Sequence, residues 1–272
     1  MNTPPASDRA LLPRLPAGHE WLPVRHGESG DRVYRCSDGT AYAKLSTGPG
    51  DDLLEEFHRL NWLAPFGLGT PAVLNWRPSD DTAVLVTSAV RGVPASELSA
   101  ADLARAWPSI VERIDALHTL PPAICPFERG LAGMFARAED VVARDAVNPD
   151  FLAEEDRGTP FPILLDRLRA ELPRRLTQQA ADRVVCHGDA CMPNLMVDPD
   201  TLRCVGLIDL GRLGTADRYV DLTLMLANAR ETWKTPEQAQ AAHDQLFEIL
   251  CLPKPDAERL AFYLRLDPLT WG

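Results

Sequence analysis

Apolar and polar residues alternate over residues 31–36 and again over 40–45, on either side of the turn-forming tripeptide Ser37-Asp38-Gly39. Alternation with period two puts one side of an extended segment into a core, and a glycine in a short polar turn lets the chain reverse, so the pair predicts a β-hairpin. The period then changes. Over residues 51–64 the apolar positions Leu53, Leu54, Phe57, Leu60, Trp62 and Leu63 keep helical spacing, and Asp51 and Asp52 stand where the helix dipole favours acids. Residues 70–76 and 82–88 read as two more strands before Arg91-Gly92-Val93-Pro94 breaks the pattern as a hinge.

Beyond the hinge the pattern turns helical. Ser99-Ala100-Ala101-Asp102 is a capping box ahead of an amphipathic stretch reaching residue 120, in which Pro108 is expected to kink or divide the helix. Further helices are predicted over 130–144, 162–179, 217–229, 236–250 and 256–266. The fourth of these opens on Thr235-Pro236-Glu237-Gln238, which combines an N-cap, a proline at the first helical position and a capping glutamine. Between helices, residues 183–186, 195–197 and 202–208 read as short strands, the last two joined by Asp198-Pro199-Asp200-Thr201. The predicted class is α+β in two lobes, a β-rich one over 1–90 and a mainly helical one over 91–272.

Composition narrows the function. The chain has 272 residues, 45% hydrophobic and 25% charged, as in ordinary globular proteins. No run approaches the roughly 18 apolar residues of a membrane span, and the N-terminus lacks a secretory pattern, so a cytoplasmic protein without membrane contact is expected. Six cysteines without a Cys-x-x-Cys pair point to reduced thiols rather than zinc. A net charge of −11 argues against a nucleic-acid surface, which must neutralise phosphates, and suits a cationic ligand.

The chemistry concentrates in Val185-Cys186-His187-Gly188-Asp189-Ala190-Cys191-Met192-Pro193-Asn194 and Ile208-Asp209-Leu210-Gly211. Phosphoryl transfer from ATP needs a carboxylate beside the attacking hydroxyl and oxygen ligands that hold magnesium on the phosphates. An Asp, four residues, an Asn and then a separate Asp-Leu-Gly supply that set. Asp189 is the candidate base, and Asn194 and Asp209 are the candidate Mg²⁺ ligands. Gly188 and Gly211 would permit close backbone approach or unusual dihedrals. His187 reads as a loop-holding residue, and Arg212 either lies near the transferring phosphate or pairs with an acid. Lys44, in the middle of an apolar strand, needs an anionic partner.

The order β-rich lobe, hinge, helical lobe with an Asp-x4-Asn loop resembles the protein-kinase-like fold. His187-Gly188-Asp189 in place of His-Arg-Asp, and Asp209-Leu210-Gly211-Arg212 in place of Asp-Phe-Gly, are similar to the aminoglycoside phosphotransferases. The resemblance runs from about Trp21 to the C-terminus. With Asp267-Pro268-Leu269-Thr270-Trp271 it points to the branch that modifies the 3''-hydroxyl of streptomycin. It implies that Lys44 contacts ATP phosphates and pairs with Glu56 rather than Glu55. It also implies that Ser29 and Gly30, in Gly27-Glu28-Ser29-Gly30-Asp31, meet the phosphates, and that Ser88 and Val90 flank the hinge backbone that receives adenine. Glu154, Glu155 and Asp156 correspond to the substrate-capping region, and Asp267 to a C-terminal acidic contact. Carboxylates there suit an aminoglycoside, whose ammonium or guanidinium groups they would pair. The expected enzyme is a monomeric, ATP- and Mg²⁺-dependent resistance kinase. A choline or homoserine kinase of the same fold is the alternative enzyme, and a nucleotide-binding pseudokinase regulator the alternative of another class. A protein kinase is disfavoured because no Ala-Pro-Glu and no long activation segment follow Asp209.

Overall fold

The structure, a computed structural model, describes residues 4–24, 32–47, 51–79 and 81–272. The loop carrying Ser29 and Gly30 lies outside the described residues. The chain divides into two compact units, Met1–Gly92 with Val205–Gly211, and Val93–Cys204 with Arg212–Gly272. The short segment Val205–Gly211 carries Asp209 into the first unit, a return that no local pattern in the sequence announces.

In the first unit, α1 (Ala6–Leu11) precedes β1 (Trp21–Pro23), β2 (Arg32–Cys36) and β3 (Ala41–Thr47); α2 (Asp51–Leu63), β4 (Val73–Pro78) and β5 (Thr82–Ser88) follow. The strands form an antiparallel sheet in the order β1-β2-β3-β5-β4. The hairpin forms as expected, with Val33 opposite Lys44 and Lys44 opposite Leu85. One face of the sheet packs Tyr34, Cys36, Ala43, Leu45, Val84 and Val86 around Trp21 and Leu12. Successive strand residues face opposite ways, so Tyr42 and Lys44 share the other face. The helix α1, which the sequence reading missed, is tied down by a buried acid. Asp8 accepts hydrogen bonds from Arg32 Nη1 at 2.6 Å and from the Tyr34 hydroxyl. Burial and the Asp8 carboxylate push the Tyr34 phenol up to about 12.

In the second unit, β6 (Val93–Pro94) pairs antiparallel with β8 (Leu195–Val197). Between them come α3 (Ala100–His118), α4 (Leu131–Ala143), α5 (Phe161–Ala181) and β7 (Arg183–Cys186). After them come β9 (Cys204–Leu207), whose residues from Val205 on belong to the first unit, and then β10 (Gly214–Asp217), α6 (Tyr219–Ala229), α7 (Pro236–Ile249) and α8 (Ala257–Leu266). Ser99 caps α3 by accepting the Asp102 N–H at 3.2 Å. Pro108 lies inside α3 without dividing it. Burial of Leu103, Trp107, Ile110, Ile114 and Leu117, each worth about 1.5–3 kcal/mol, outweighs the roughly 3 kcal/mol cost of an interior proline. The indole of Trp107 also donates to Ala242 O on α7 at 2.8 Å.

The strand β10 was not expected, because Gly-Thr-Ala-Asp carries neither alternation nor β-branched runs; it pairs antiparallel with β7 and is buried throughout. The helix expected from residue 217 therefore starts at Tyr219, and Asp217 ends the strand. Its carboxylate accepts from Arg259 Nε at 2.7 Å, the Tyr263 hydroxyl at 2.9 Å and the Tyr219 N–H at 2.9 Å. That hub ties the start of α6 to α8, and α6 in turn supports the loop from His187 to Asn194.

Candidate active site

The strand β7 delivers the chain into His187-Gly188-Asp189. Gly188 has φ +80°, and a Cβ there would lie 2.1 Å from Arg212 O and 2.7 Å from Arg129 Cδ. The arginine that protein kinases place at this point would not fit. Asp221, near the start of α6, grips the turn from behind. Its Oδ2 accepts the His187 N–H and its Oδ1 the Gly188 N–H, both at 2.8 Å, while His118 Nε2 lies 2.9 Å from Oδ2. Burial acts to raise the pKa of Asp221, but the His118 hydrogen bond and the surrounding donors hold it below the ordinary carboxylate value. His187 Nδ1 accepts the Asp189 N–H at 3.2 Å, which fits a loop-holding histidine.

Asn194 closes the loop. Its Nδ2 donates to Asp189 O at 2.9 Å and to Asp189 Oδ2 at 3.2 Å. Spending the amide N–H₂ on Asp189 orients Oδ1 as the remaining ligand atom, an amide oxygen of the kind Mg²⁺ accepts. Met192 N–H donates to Asn228 Oδ1 at 3.0 Å, fixing the loop from α6 a second time.

In the first unit, Lys44 Nζ contacts Glu56 Oε1 at 2.9 Å and Oε2 at 2.8 Å, and Asp209 Oδ1 at 2.9 Å. Glu55 points elsewhere, to Arg59 at 2.9 Å. Burial acts to lower the Lys44 pKa, yet the charges of Glu56 and Asp209 more than reverse this and raise it, so the lysine stays cationic. Asp209 sits at φ +59°, a left-handed conformation that short polar side chains tolerate better than most. The segment carrying it is seated by glycines: a Cβ on Gly69 would lie 1.9 Å from Val205 O, and one on Gly206 2.0 Å from Gly69 O. Gly211 differs from its expected role, since its φ is not in the left-handed region and a Cβ would only touch Glu56 Cβ at 4.0 Å.

At the end of β5, Ser88 exchanges hydrogen bonds with Ala72: its N–H donates to Ala72 O at 2.8 Å and its Oγ accepts the Ala72 N–H at 2.9 Å. The Ala89 N–H is taken by Thr40 O at 2.8 Å. Ser88 therefore shapes the strand end, and Val90 packs against Gly206. A recess of about 440 Å³ lined by Leu22, Pro23, Val24, Arg35 and Tyr42 opens on the first unit's sheet.

Asp267 begins the last turn of the chain, partly covered, with Oδ2 accepting from Trp271 Nε1 at 3.2 Å and Oδ1 3.7 Å from Arg212 Nη1. Burial raises the Asp267 pKa above the ordinary carboxylate value, and the charge of Asp189 adds to the effect. Arg212 thus pairs with an acid, and its guanidinium also lies over the Trp271 ring, 3.3 Å from the centroid. Glu154, Glu155 and Asp156 form a single 3-10 turn. Glu154 and Glu155 are exposed, whereas Asp156 is turned back to Arg167 at 3.3 Å.

Comparison with known proteins meets this geometry with a clear kinship. The sequence model of the phosphotransferase enzyme family matches residues 20–263. The chain belongs to that family. It is 51% identical over 265 residues to the streptomycin 3''-kinase of Streptomyces griseus, covering 97% of each chain. It is also 38% identical to an aminoglycoside 3'-phosphotransferase of Streptomyces fradiae, covering 96% of this chain and 98% of that one. Among solved structures, aminoglycoside phosphotransferase APH(3'')-Id from Streptomyces rimosus superimposes with TM-score 0.88 at 49% identity, covering 93% of both chains. The same protein has been solved in complex with ADP and streptomycin. The bilobal, kinase-like α+β class expected from the sequence is the fold of these neighbours.

The structure brings to these loops groups that the sequence reading did not single out. Asp221, backed by His118, holds the turn at His187 and Gly188, and a signal for Asp221 was present: an acid inside the apolar run Tyr219-Val220-Asp221-Leu222 must have buried partners. Tyr42, two residues before Lys44 in the strand, shares its face by period-two geometry and lines the recess.

Proposed function

We propose that the chain transfers the γ-phosphoryl group of ATP to a hydroxyl of an aminoglycoside, the 3''-hydroxyl of streptomycin, and so confers resistance. One observation carries this reading: 51% identity to a streptomycin 3''-kinase across 97% of both chains, in a chain that keeps the Asp189–Asn194 loop closed as described. Asp189 orients the attacking hydroxyl and accepts its proton late, since the loose transition state carries little bond formation to the nucleophile. Lys44, held by Glu56, meets the phosphates of ATP. Tyr42 offers an aromatic surface to the base, and the backbone at Val90 offers the N–H that Ser88 and Ala89 do not, theirs being spent on Ala72 and Thr40.

Asn194 and Asp209 supply the hard oxygens Mg²⁺ prefers, and the oriented Oδ1 of Asn194 supports that fit. When bound, the ion neutralises charge on the phosphates. Among the described residues no helix is long and apolar enough to cross a membrane. The reading includes a cytoplasmic monomer with no nucleic-acid partner; six free cysteines suit a reducing compartment.

The test is ADP release with Mg²⁺-ATP against streptomycin, kanamycin, choline and homoserine. Release with streptomycin alone or most strongly is expected; release only with choline or homoserine would overturn the reading.

A further inference from the structure

His118 is the last residue of α3, and its ring is buried. Its Nε2 stands 2.9 Å from Asp221 Oδ2, the oxygen that also accepts the His187 N–H, while Asp221 Oδ1 accepts the Gly188 N–H. An ionised carboxylate has no proton to give, and Asp221 has its pKa held below the ordinary value, so the contact requires a hydrogen on Nε2 of His118. The other ring nitrogen, Nδ1, is buried with no hydrogen-bond partner, which leaves Nε2 to hold the ring. Cys186 Sγ belongs to the same cluster, within 4.8 Å of the His118 and Asp221 atoms, but it donates to Asp217 O at 3.3 Å and burial pushes its pKa up, so no thiolate is at hand for a metal. The cluster is therefore held by hydrogen bonds. The two loop N–H groups come from adjacent residues, and the terminal torsion of an aspartate is broad, so they leave its carboxylate room to turn. A third donor, brought by a different helix, removes that freedom.

We propose that His118 is a positioning residue for the phosphoryl transfer: by donating from Nε2 to Asp221 it fixes the carboxylate that seats His187 and Gly188, and through them the base Asp189. The proposal rests on the aminoglycoside-kinase reading above and names a distant group on which that reaction depends. The line of contacts runs from His118 Nε2 to Asp221 at 2.9 Å, from Asp221 to the His187 N–H at 2.8 Å, and from the His187 ring, through Nδ1, to the Asp189 N–H at 3.2 Å. His118 touches neither substrate nor the reacting atoms. A base that must meet the attacking hydroxyl loses rate when it is displaced by a fraction of an ångström, whereas the groups assigned to the phosphates and to the antibiotic stay where they are. The dependence on His118 therefore falls on kcat and leaves both KM values alone.

The test compares His118→Asn with His118→Gln in the full chain. The amide nitrogen of glutamine takes the place of Nε2, whereas that of asparagine takes the place of Nδ1 and stops short of Asp221; the two variants otherwise bury the same polar group. With streptomycin and Mg²⁺-ATP, His118→Asn is expected to lower kcat about ten- to a hundredfold with KM for each substrate unchanged within about threefold, and His118→Gln to recover most of that loss. Hydrogen exchange followed by NMR should show the His187 and Gly188 amide protons exchanging about tenfold faster or more in His118→Asn than in His118→Gln, relative to the other core amides. His118→Leu takes the place of the asparagine variant should that one not fold. Equal kcat in the two variants, a loss carried by KM, or exchange that quickens evenly across the core, the mark of a merely stabilising residue, would overturn the proposal. Wild-type turnover separates the two claims. Turnover with no difference between the variants removes the positioning role alone, whereas a wild type that phosphorylates neither streptomycin nor kanamycin removes that role together with the function it serves.

Discussion

In the loop from Cys186 to Asn194, every acid and amide is held from behind: Asp221 takes two backbone N–H groups, Asn194 spends its amide on Asp189, and Asn228 pins Met192. In the turn at Glu154–Asp156, two of three carboxylates project into solvent and the third is paired with Arg167. Both stretches are rich in oxygen, and both were named from the sequence as functional. The difference between them is preorganisation. A group that must act on a reacting atom has to be placed to within a fraction of an ångström, whereas a group that attracts a cation through water need only be nearby. The loop from Cys186 to Asn194 has the first kind of architecture and the acidic turn the second.

Three variants break or sharpen that contrast. The largest effect is expected for Asp189→Ala, which should lower kcat by about 10²-fold or more while the protein stays folded, because a lost general base costs on that scale. Near-native turnover in a folded variant would remove Asp189 from its role. Asp221→Asn comes next, and it tests the support rather than the base. The two loop N–H groups bond different oxygens of Asp221, and an amide puts an N–H₂ donor in place of one of them, so one buried donor is orphaned; we expect a loss of about 1–3 kcal/mol in urea unfolding together with a fall in kcat. The sign with pH follows from its lowered pKa. The contribution of ionised Asp221 is complete above the unfolded value, 3.8, and is lost as pH falls through the lower folded one, so the wild type should lose stability on acidification below about 4 more steeply than Asp221→Asn. The smallest effect belongs to the acidic turn. Glu154→Gln with Glu155→Gln should change KM for the antibiotic by no more than about threefold at 0.15 M salt, and more at low salt, since exposed charges are screened. A large, salt-independent rise in KM would show that the turn closes on the substrate and is as well placed as the loop.

The sequence made legible what periodicity and residue chemistry encode locally. The hairpin around Ser37-Asp38-Gly39, the capped starts of α3 and α7, and the Asp-x4-Asn loop were all present as local patterns. Lys44 demanded an anion, and Glu56 supplies it. What stayed hidden depends on distant chain segments meeting. The strand β10 exists because Gly214–Asp217 lies against β7, and nothing in its four residues favours extended structure by itself. Asp8 is a buried polar group whose partners Arg32 and Tyr34 lie far along the chain, so it does not stand out from a surface residue in a linear reading. The roles proposed for Gly188 and Gly211 looked alike in sequence, but only Gly188 has a positive φ and backbone at the place of a Cβ.

The central claim is that this loop phosphorylates one hydroxyl of streptomycin. The most direct test is NMR of the product formed from streptomycin and Mg²⁺-ATP, with phosphorus–proton coupling used to locate the new ester. The account predicts a single product bearing phosphate on the 3''-oxygen, formed by wild type and suppressed about a hundredfold or more in Asp189→Ala. Phosphate at another hydroxyl, or the same product formed undiminished by the Asp189 variant, would contradict it.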